Sequence, residues 1–156
     1  MKKTIKTEKI YMASLTLNAA KYGKLIDDDK IKVWKISRKL QPIAKDFEDA
    51  TKDATEKMKP EGYDDKLQKS QEYERMTKAS NFDARELPMG PAEHEAFLKE
   101  NRELQKLVTD ALQELSDKEV ELEFDPLSQD SFIKLINSND WTFGQVTLLG
   151  EVIVED

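Results

Sequence analysis

The chain has 156 residues, 37% charged and 38% hydrophobic, with 25 Lys and Arg against 32 Asp and Glu and a net charge of −7. That length suffices for a single domain, 1–156, with its own core. The absence of cysteine excludes disulfides, thiolate metal sites and thiol catalysis, and an acidic chain does not coat phosphate backbones.

Residues 1–9 form a basic leader. Met1-Lys2-Lys3 has the opening of a signal peptide, but Lys6, Glu8 and Lys9 interrupt the place where an apolar run should stand. No stretch reaches the roughly 18 apolar residues that a membrane span needs, so a soluble, non-exported chain is expected. Residues 10–17, Ile-Tyr-Met-Ala-Ser-Leu-Thr-Leu, fit a short strand or the lead-in to a helix. Asn18 could then cap a short helix over 19–26 with Ala19, Tyr22 and Ile26 on its apolar face.

Asp27-Asp28-Asp29 suit a helix N-terminus through capping and the macrodipole. Behind them Val33, Ile36, Leu40, Ile43, Phe47, Ala50 and Ala54 recur in alternating steps of three and four, which predicts one long helix over 27–58. Trp34 and Ile31 widen its stripe, with core packing as the default for Trp34. Pro42 removes one backbone donor and predicts a kink rather than a break. Phe97, Asn101, Leu104, Val108, Ala111 and Leu115 make a second seam over 91–117, and Asn101 within it reads as a register-fixing polar residue.

The connection 61–90 is polar. Tyr63, Leu67, Tyr73 and Met76 could support a helix from Asp64 to Ala79, while 81–83 and 87–91 read as loop. Its large apolar residues Phe82, Leu87 and Met89 are candidates for a docking patch. Glu119 to Phe124 alternates strictly, with Val120, Leu122 and Phe124 inward and Glu119, Glu121 and Glu123 outward, the pattern of an edge strand that could pair with the Lys-rich first strand. Ser128 can cap a helix to Asn137. Over 141–154 a helix from Phe143 capped by Thr142 is favoured, although Val152-Ile153-Val154 prefers a strand. The fold class expected is therefore mainly α (α+β): an antiparallel pair of long helices, 27–58 and 91–117, closed by a small base with one or two short strands (10–17 and 119–124) and C-terminal helices.

Charge is unevenly spread. Residues 1–25 hold six lysines against one glutamate, and residues 118–156 hold nine acids against two lysines. The simplest reading is that the two ends lie together and complement each other. A sharper one is a basic terminus that docks on an acidic partner, or an acidic end that imitates nucleic acid.

The sequence offers little to chemistry. His94, the sole histidine, is flanked by Glu93 and Glu95 rather than by a ligand at i+4, and is expected to be exposed and idle. There is no Gly-x-Ser-x-Gly elbow and no glycine-rich phosphate loop, so no catalytic, cofactor or metal residues are assigned.

The order of Leu15-Thr16-Leu17-Asn18-Ala19-Ala20, the helix from Lys32 through Glu48, the polar tip, the return helix and Glu119 to Phe124 with Pro126-Leu127-Ser128 resembles a family of small tailed-phage proteins of unassigned function. The tip is longer than that family leads one to expect, and the basic leader is an addition. The resemblance implies a phage or prophage origin, a location in the host cytoplasm or the virion, and a role in virion assembly or host takeover through protein contact. The partner expected is a phage structural or host protein, with self-association left open and no membrane or nucleic acid bound directly. The leading expectation is a non-enzymatic virion-associated or assembly component; the alternative is an inhibitor of a host defence or nucleic-acid-binding protein that acts through Glu119, Glu121 and Glu123.

Overall fold

The computed structural model describes residues 1–79 and 81–156. The chain is mainly helical, with a two-stranded antiparallel sheet and two long helices. In chain order the elements are β1 (Lys2–Lys6), α1 (Thr7–Asn18), α2 (Asp27–Met58), α3 (Tyr63–Thr77), a 3-10 turn (Ala84–Glu86), α4 (Pro91–Asp117), β2 (Glu119–Glu123), α5 (Gln129–Asn137) and α6 (Phe143–Ile153). They fall into two compact units, Met1–Thr51 with Gln113–Asp156, and Lys52–Leu112.

The first unit is built on the pairing of β1 with β2. Ile5 stands opposite Val120 and Lys3 opposite Leu122, while Lys2, Thr4 and Lys6 face Glu123, Glu121 and Glu119. Period-two alternation puts one set toward the core and the other toward water. Opposite charges across an antiparallel pair are favourable, so the two charge-biased ends do complement each other. Lys2 pairs with Glu121 at 3.5 Å, Lys6 with Asp117 at 3.1 Å and Lys9 with Glu151 at 2.5 Å. Lys3, on the inner side, keeps only 9% of its side chain exposed. Its ammonium donates to the carbonyls of Glu151 (3.1 Å) and Val154 (2.6 Å) and meets the Asp156 carboxylate at 3.3 Å. A cation there satisfies carbonyls that the end of α6 leaves unpaired and complements its dipole.

The strand expected over 10–17 is a helix instead, and the strand partner of β2 is the leader itself. Ile10, Ala13, Ser14 and Leu17 are buried while Met12 and Leu15 are exposed; that spacing of three, four and seven is a helical stripe, which a period-two strand could not bury. The Thr7 N–H and hydroxyl both donate to the Lys118 carbonyl, at 2.9 and 2.6 Å, and tie the start of α1 to the start of β2. The helix expected over 19–26 does not form. Asn18 is the last residue of α1, and Gly23 lies in a connection that turns back at Ala20 and Leu25.

α2 begins at the three aspartates and runs unbroken through Pro42. Val33, Ile36, Leu40 and Ala44 are its buried stripe. Trp34 is a correction: it is 56% exposed, because it projects from the side of α2 away from that stripe, and the Arg38 guanidinium lies 5.0 Å from its ring centre. Where α2 passes the end of α4, Ile43, Phe47 and Ala50 line a cleft together with Leu115 and Val120. The Ser128 hydroxyl accepts from the Ser131 N–H (3.2 Å) and caps α5. Thr142 and Gln145 form a reciprocal capping box at the start of α6. Beyond α6, Val154 bridges to Leu127 in parallel, so that tail is helix first and a single strand contact last. The core gathers Ile10, Ile36, Leu40, Leu127, Leu135, Leu149 and Ile153, all essentially inaccessible.

In the second unit the polar connection contains a true helix. Tyr63, Met89 and Phe97 are buried there. The Tyr63 and Phe97 rings lie 6.0 Å apart, and the Tyr63 hydroxyl donates to the Asn101 side-chain oxygen at 2.6 Å. The polar residue in the second seam thus receives a partner from α3. Gly62, at φ 75°, supplies the left-handed residue that turns the chain into α3.

Two measurements test this packing. Leu40→Ala, which empties a fully buried position, should cost about 2–5 kcal/mol in denaturant unfolding. The Asp117 carboxyl is held below its ordinary value near 3.8 by hydrogen bonds from Gln113 and Lys6. A depressed carboxyl stabilises the fold above its unfolded value and loses that contribution as pH falls through the folded one. Melting temperatures of Gln113→Ala should therefore lie below wild type near neutrality and converge with it below the carboxylate range.

Candidate functional site

A concave surface of the first unit lies between α1 and the connection from α5 to α6. It is a groove of about 760 Å³ lined by Met12, Leu15, Thr16, Ala19, Lys21, Asn137, Ser138, Asn139, Asp140, Trp141 and Gln145. Its construction follows from the two helical stripes. α1 spends Ile10, Ala13 and Leu17 on the core, and the residues between them, Met12 and Leu15, remain 45% and 48% exposed on the groove side. Trp141 packs against the edge of the core and closes the apolar floor.

The opposite rim is held by Asn139. Its side-chain oxygen accepts the Lys21 N–H at 2.7 Å, and its side-chain nitrogen donates to the carbonyls of Lys21 and Leu135, each at 2.8 Å. One amide thereby substitutes for a strand partner and fixes the segment after α1 to the end of α5. Lys24 adds a hydrogen bond to the Asn137 carbonyl at 3.3 Å. Apart from Ala19 and the charged Lys21 and Asp140 the remaining lining is neutral and polar, which makes an apolar floor with a hydrogen-bonding border. Phe143, two residues beyond Trp141, is 86% exposed.

The residues singled out from sequence are distributed differently. Phe82 is exposed and Leu87 half-buried, but Met89 is buried, so these three do not present one apolar patch. Glu119, Glu121 and Glu123 are exposed on β2, each beside Lys6, Thr4 or Lys2 of β1. The acids therefore stand in a surface of alternating sign. His94 is a correction: its side chain is 13% exposed, and its ring stacks on Tyr73 at 4.3 Å between centres. The Glu74 carboxylate approaches Nε2 at 3.6 Å, and among the described residues that nitrogen has no hydrogen-bond partner. The stack explains the burial: an aromatic face from α3 covers the first turn of α4. Among the described residues no three His, Asp or Glu side chains cluster in the manner of a metal site, and no helix is long and apolar enough to cross a membrane.

Met12 and Leu15 were not selected from sequence, although their signal was present, and Trp141 was expected only to pack in the core, whose edge it does meet. Read with a helical period, the run 10–17 assigns Ile10, Ala13, Ser14 and Leu17 to the core and leaves Met12 and Leu15 as unexplained apolar residues. Compared with family models, curated proteins and solved structures, the chain matches none.

Asn139→Leu keeps the side-chain bulk and removes three hydrogen bonds. It should cost roughly 1–3 kcal/mol, about 1 kcal/mol or less for each hydrogen bond lost, because water can reach the Lys21 backbone groups. Amide exchange at Lys21 should quicken selectively, and an unchanged exchange rate would show that the rim is held by other means.

Proposed function

We propose that this chain is a non-enzymatic protein-interaction protein of the phage type, a virion-associated or assembly component, and that it receives a segment of its protein partner in the groove between α1 and the α5–α6 connection. The observation that carries the reading is the pair Met12 and Leu15, left exposed on α1 and facing Trp141 across a roofless apolar floor. Exposing large apolar side chains to water forgoes about 25 cal/mol per Å² of burial, and a second chain seated in the groove recovers it. The neutral polar border of Asn137, Ser138 and Gln145 suits the backbone amides of a polypeptide better than phosphates. The phage setting rests on the resemblance to small tailed-phage proteins read from the sequence alone.

The competing inhibitor reading, a nucleic-acid-mimicking surface at Glu119, Glu121 and Glu123, is disfavoured by the lysines of β1 that stand among these acids. A mimic needs an uninterrupted array of negative charge to compete for a basic cleft.

The two readings separate in one affinity purification. With lysate of the phage-bearing host, the double substitution Met12→Glu and Leu15→Glu should abolish recovery of the partner, while the melting temperature stays within about 2 °C of wild type because both positions are exposed. Glu119→Gln, Glu121→Gln and Glu123→Gln together should leave recovery intact. Loss of a salt-sensitive, DNA-binding partner in the triple variant, with retention in the double, would favour the inhibitor.

A further inference from the structure

α2 carries a second unoccupied face, and its charge is opposite to that of the whole molecule. From Lys30 to Lys45 there are six bases, Lys30, Lys32, Lys35, Arg38, Lys39 and Lys45, and no acid, in a chain of net charge −7. Val33, Ile36, Leu40 and Ala44 turn one side of this stretch into the core. Ile31, Trp34 and Arg38, at steps of three and four, occupy the other side, where Ile31 and Trp34 are about half exposed and Arg38 covers part of the indole. Four of the bases are already engaged: Lys30 with Asp27, Lys32 with Asp125, Lys45 with Asp49, and Lys39 with the Glu123 carbonyl. Lys35 and Arg38 have no carboxylate within ion-pairing distance among the described residues. Beside them a cleft of about 380 Å³ is lined by Ile31, Lys32, Lys35, Lys39 and Phe124 and also by the carboxylates of Asp28 and Asp125, the latter paired with Lys32.

We infer that this face of α2 binds a short acidic peptide segment of a partner, with Lys35 and Arg38 taking its carboxylates and Trp34 and Ile31 its apolar side chains. Charge complementarity selects the sign of the occupant, and exposed Trp and Arg are the side chains on which interface energy concentrates. Its length is set by the fence at either end. Asp27, Asp28 and Asp29 precede the basic stretch, and Asp46, Glu48 and Asp49 follow it. At 1.5 Å per residue the stretch is about 24 Å long, which accommodates roughly seven extended residues at 3.3 Å each. A longer polyanion such as nucleic acid, or an anionic membrane plane, would press against both fences. The inference rests on the protein-contact reading but uses a face that does not include the groove, so Met12→Glu with Leu15→Glu should leave it untouched.

The test follows Trp34 emission in a Trp141→Phe background, titrated with a blocked octapeptide of alternating Glu and Leu. The expected result is a saturable spectral shift whose affinity falls as salt is raised and does not improve when the peptide is doubled in length. Lys35→Glu with Arg38→Glu should weaken it at least tenfold at unchanged helical circular dichroism. Should that variant unfold, Lys35→Gln with Arg38→Gln should still weaken it several-fold. Absence of a saturable shift, or indifference to both substitution pairs, overturns the inference. So does tighter binding of an oligothymidylate or of phosphatidylserine vesicles than of the octapeptide.

Discussion

The arrangement of the first unit depends on one pairing, that of residues 2–6 with residues 119–123. It joins segments more than a hundred residues apart in sequence, and its energetic logic is double. Ile5, Val120 and Leu122 contribute burial on one face, while lysines and glutamates alternate across the other. The pairing also sets Thr7 against Lys118 and so aims α1, and it brings Lys3 to the end of α6. The exposed faces of α1 and α2 are by-products of that placement, because each helix docks through one stripe and leaves the remainder outside.

α1 and α2 illustrate the same principle with different chemistry. On α1 the residues left outside are methionine and leucine beside a neutral border, which invites an apolar segment. On α2 they are isoleucine and tryptophan amid bases, which invites an acidic one. Scattered apolar residues on a surface are ordinary. What distinguishes these is their grouping along one helix face beside a concavity, where a partner can desolvate several at once.

Much of the architecture was legible from periodicity. The bounds 27–58 and 91–117 emerge from the alternating steps of three and four together with the aspartates at one end and Pro91 at the other. Ser128 and Thr142 declare their helices through local hydrogen-bonding chemistry that needs no tertiary context. The first eighteen residues were harder because β-branched and aromatic types in 10–17 satisfy strand propensity, and only tertiary burial decides which period prevails. A lysine-rich pentapeptide likewise lacks the apolar content of a strand; β1 exists because β2 supplies the complementary acids. Trp34 and His94 went astray for converse reasons. A large aromatic near a seam is packed by default, yet Trp34 lies off the stripe, and a histidine among glutamates looks solvated until Tyr73 of another helix covers it. The groove could not be read in advance because its floor comes from residues 12–19 and 137–145, which no local pattern relates.

The long-range closure between β1 and β2 also bears on how the chain reaches its native state. α3 and α4 meet through neighbours such as Tyr63 with Phe97 and Tyr73 with His94, which lie within some forty positions of one another. The core of the first unit, in contrast, cannot be completed until residues 119–154 exist, since Ile10 and Leu40 are buried against partners such as Leu127, Leu149 and Ile153. During synthesis the apolar stripes of α1 and α2 are made first and must wait uncovered for their counterparts. The bases interspersed among them, Lys6, Lys9, Lys32, Lys35 and Lys39, outnumber the acids of that segment, and like charge opposes association of copies whose stripes are still uncovered.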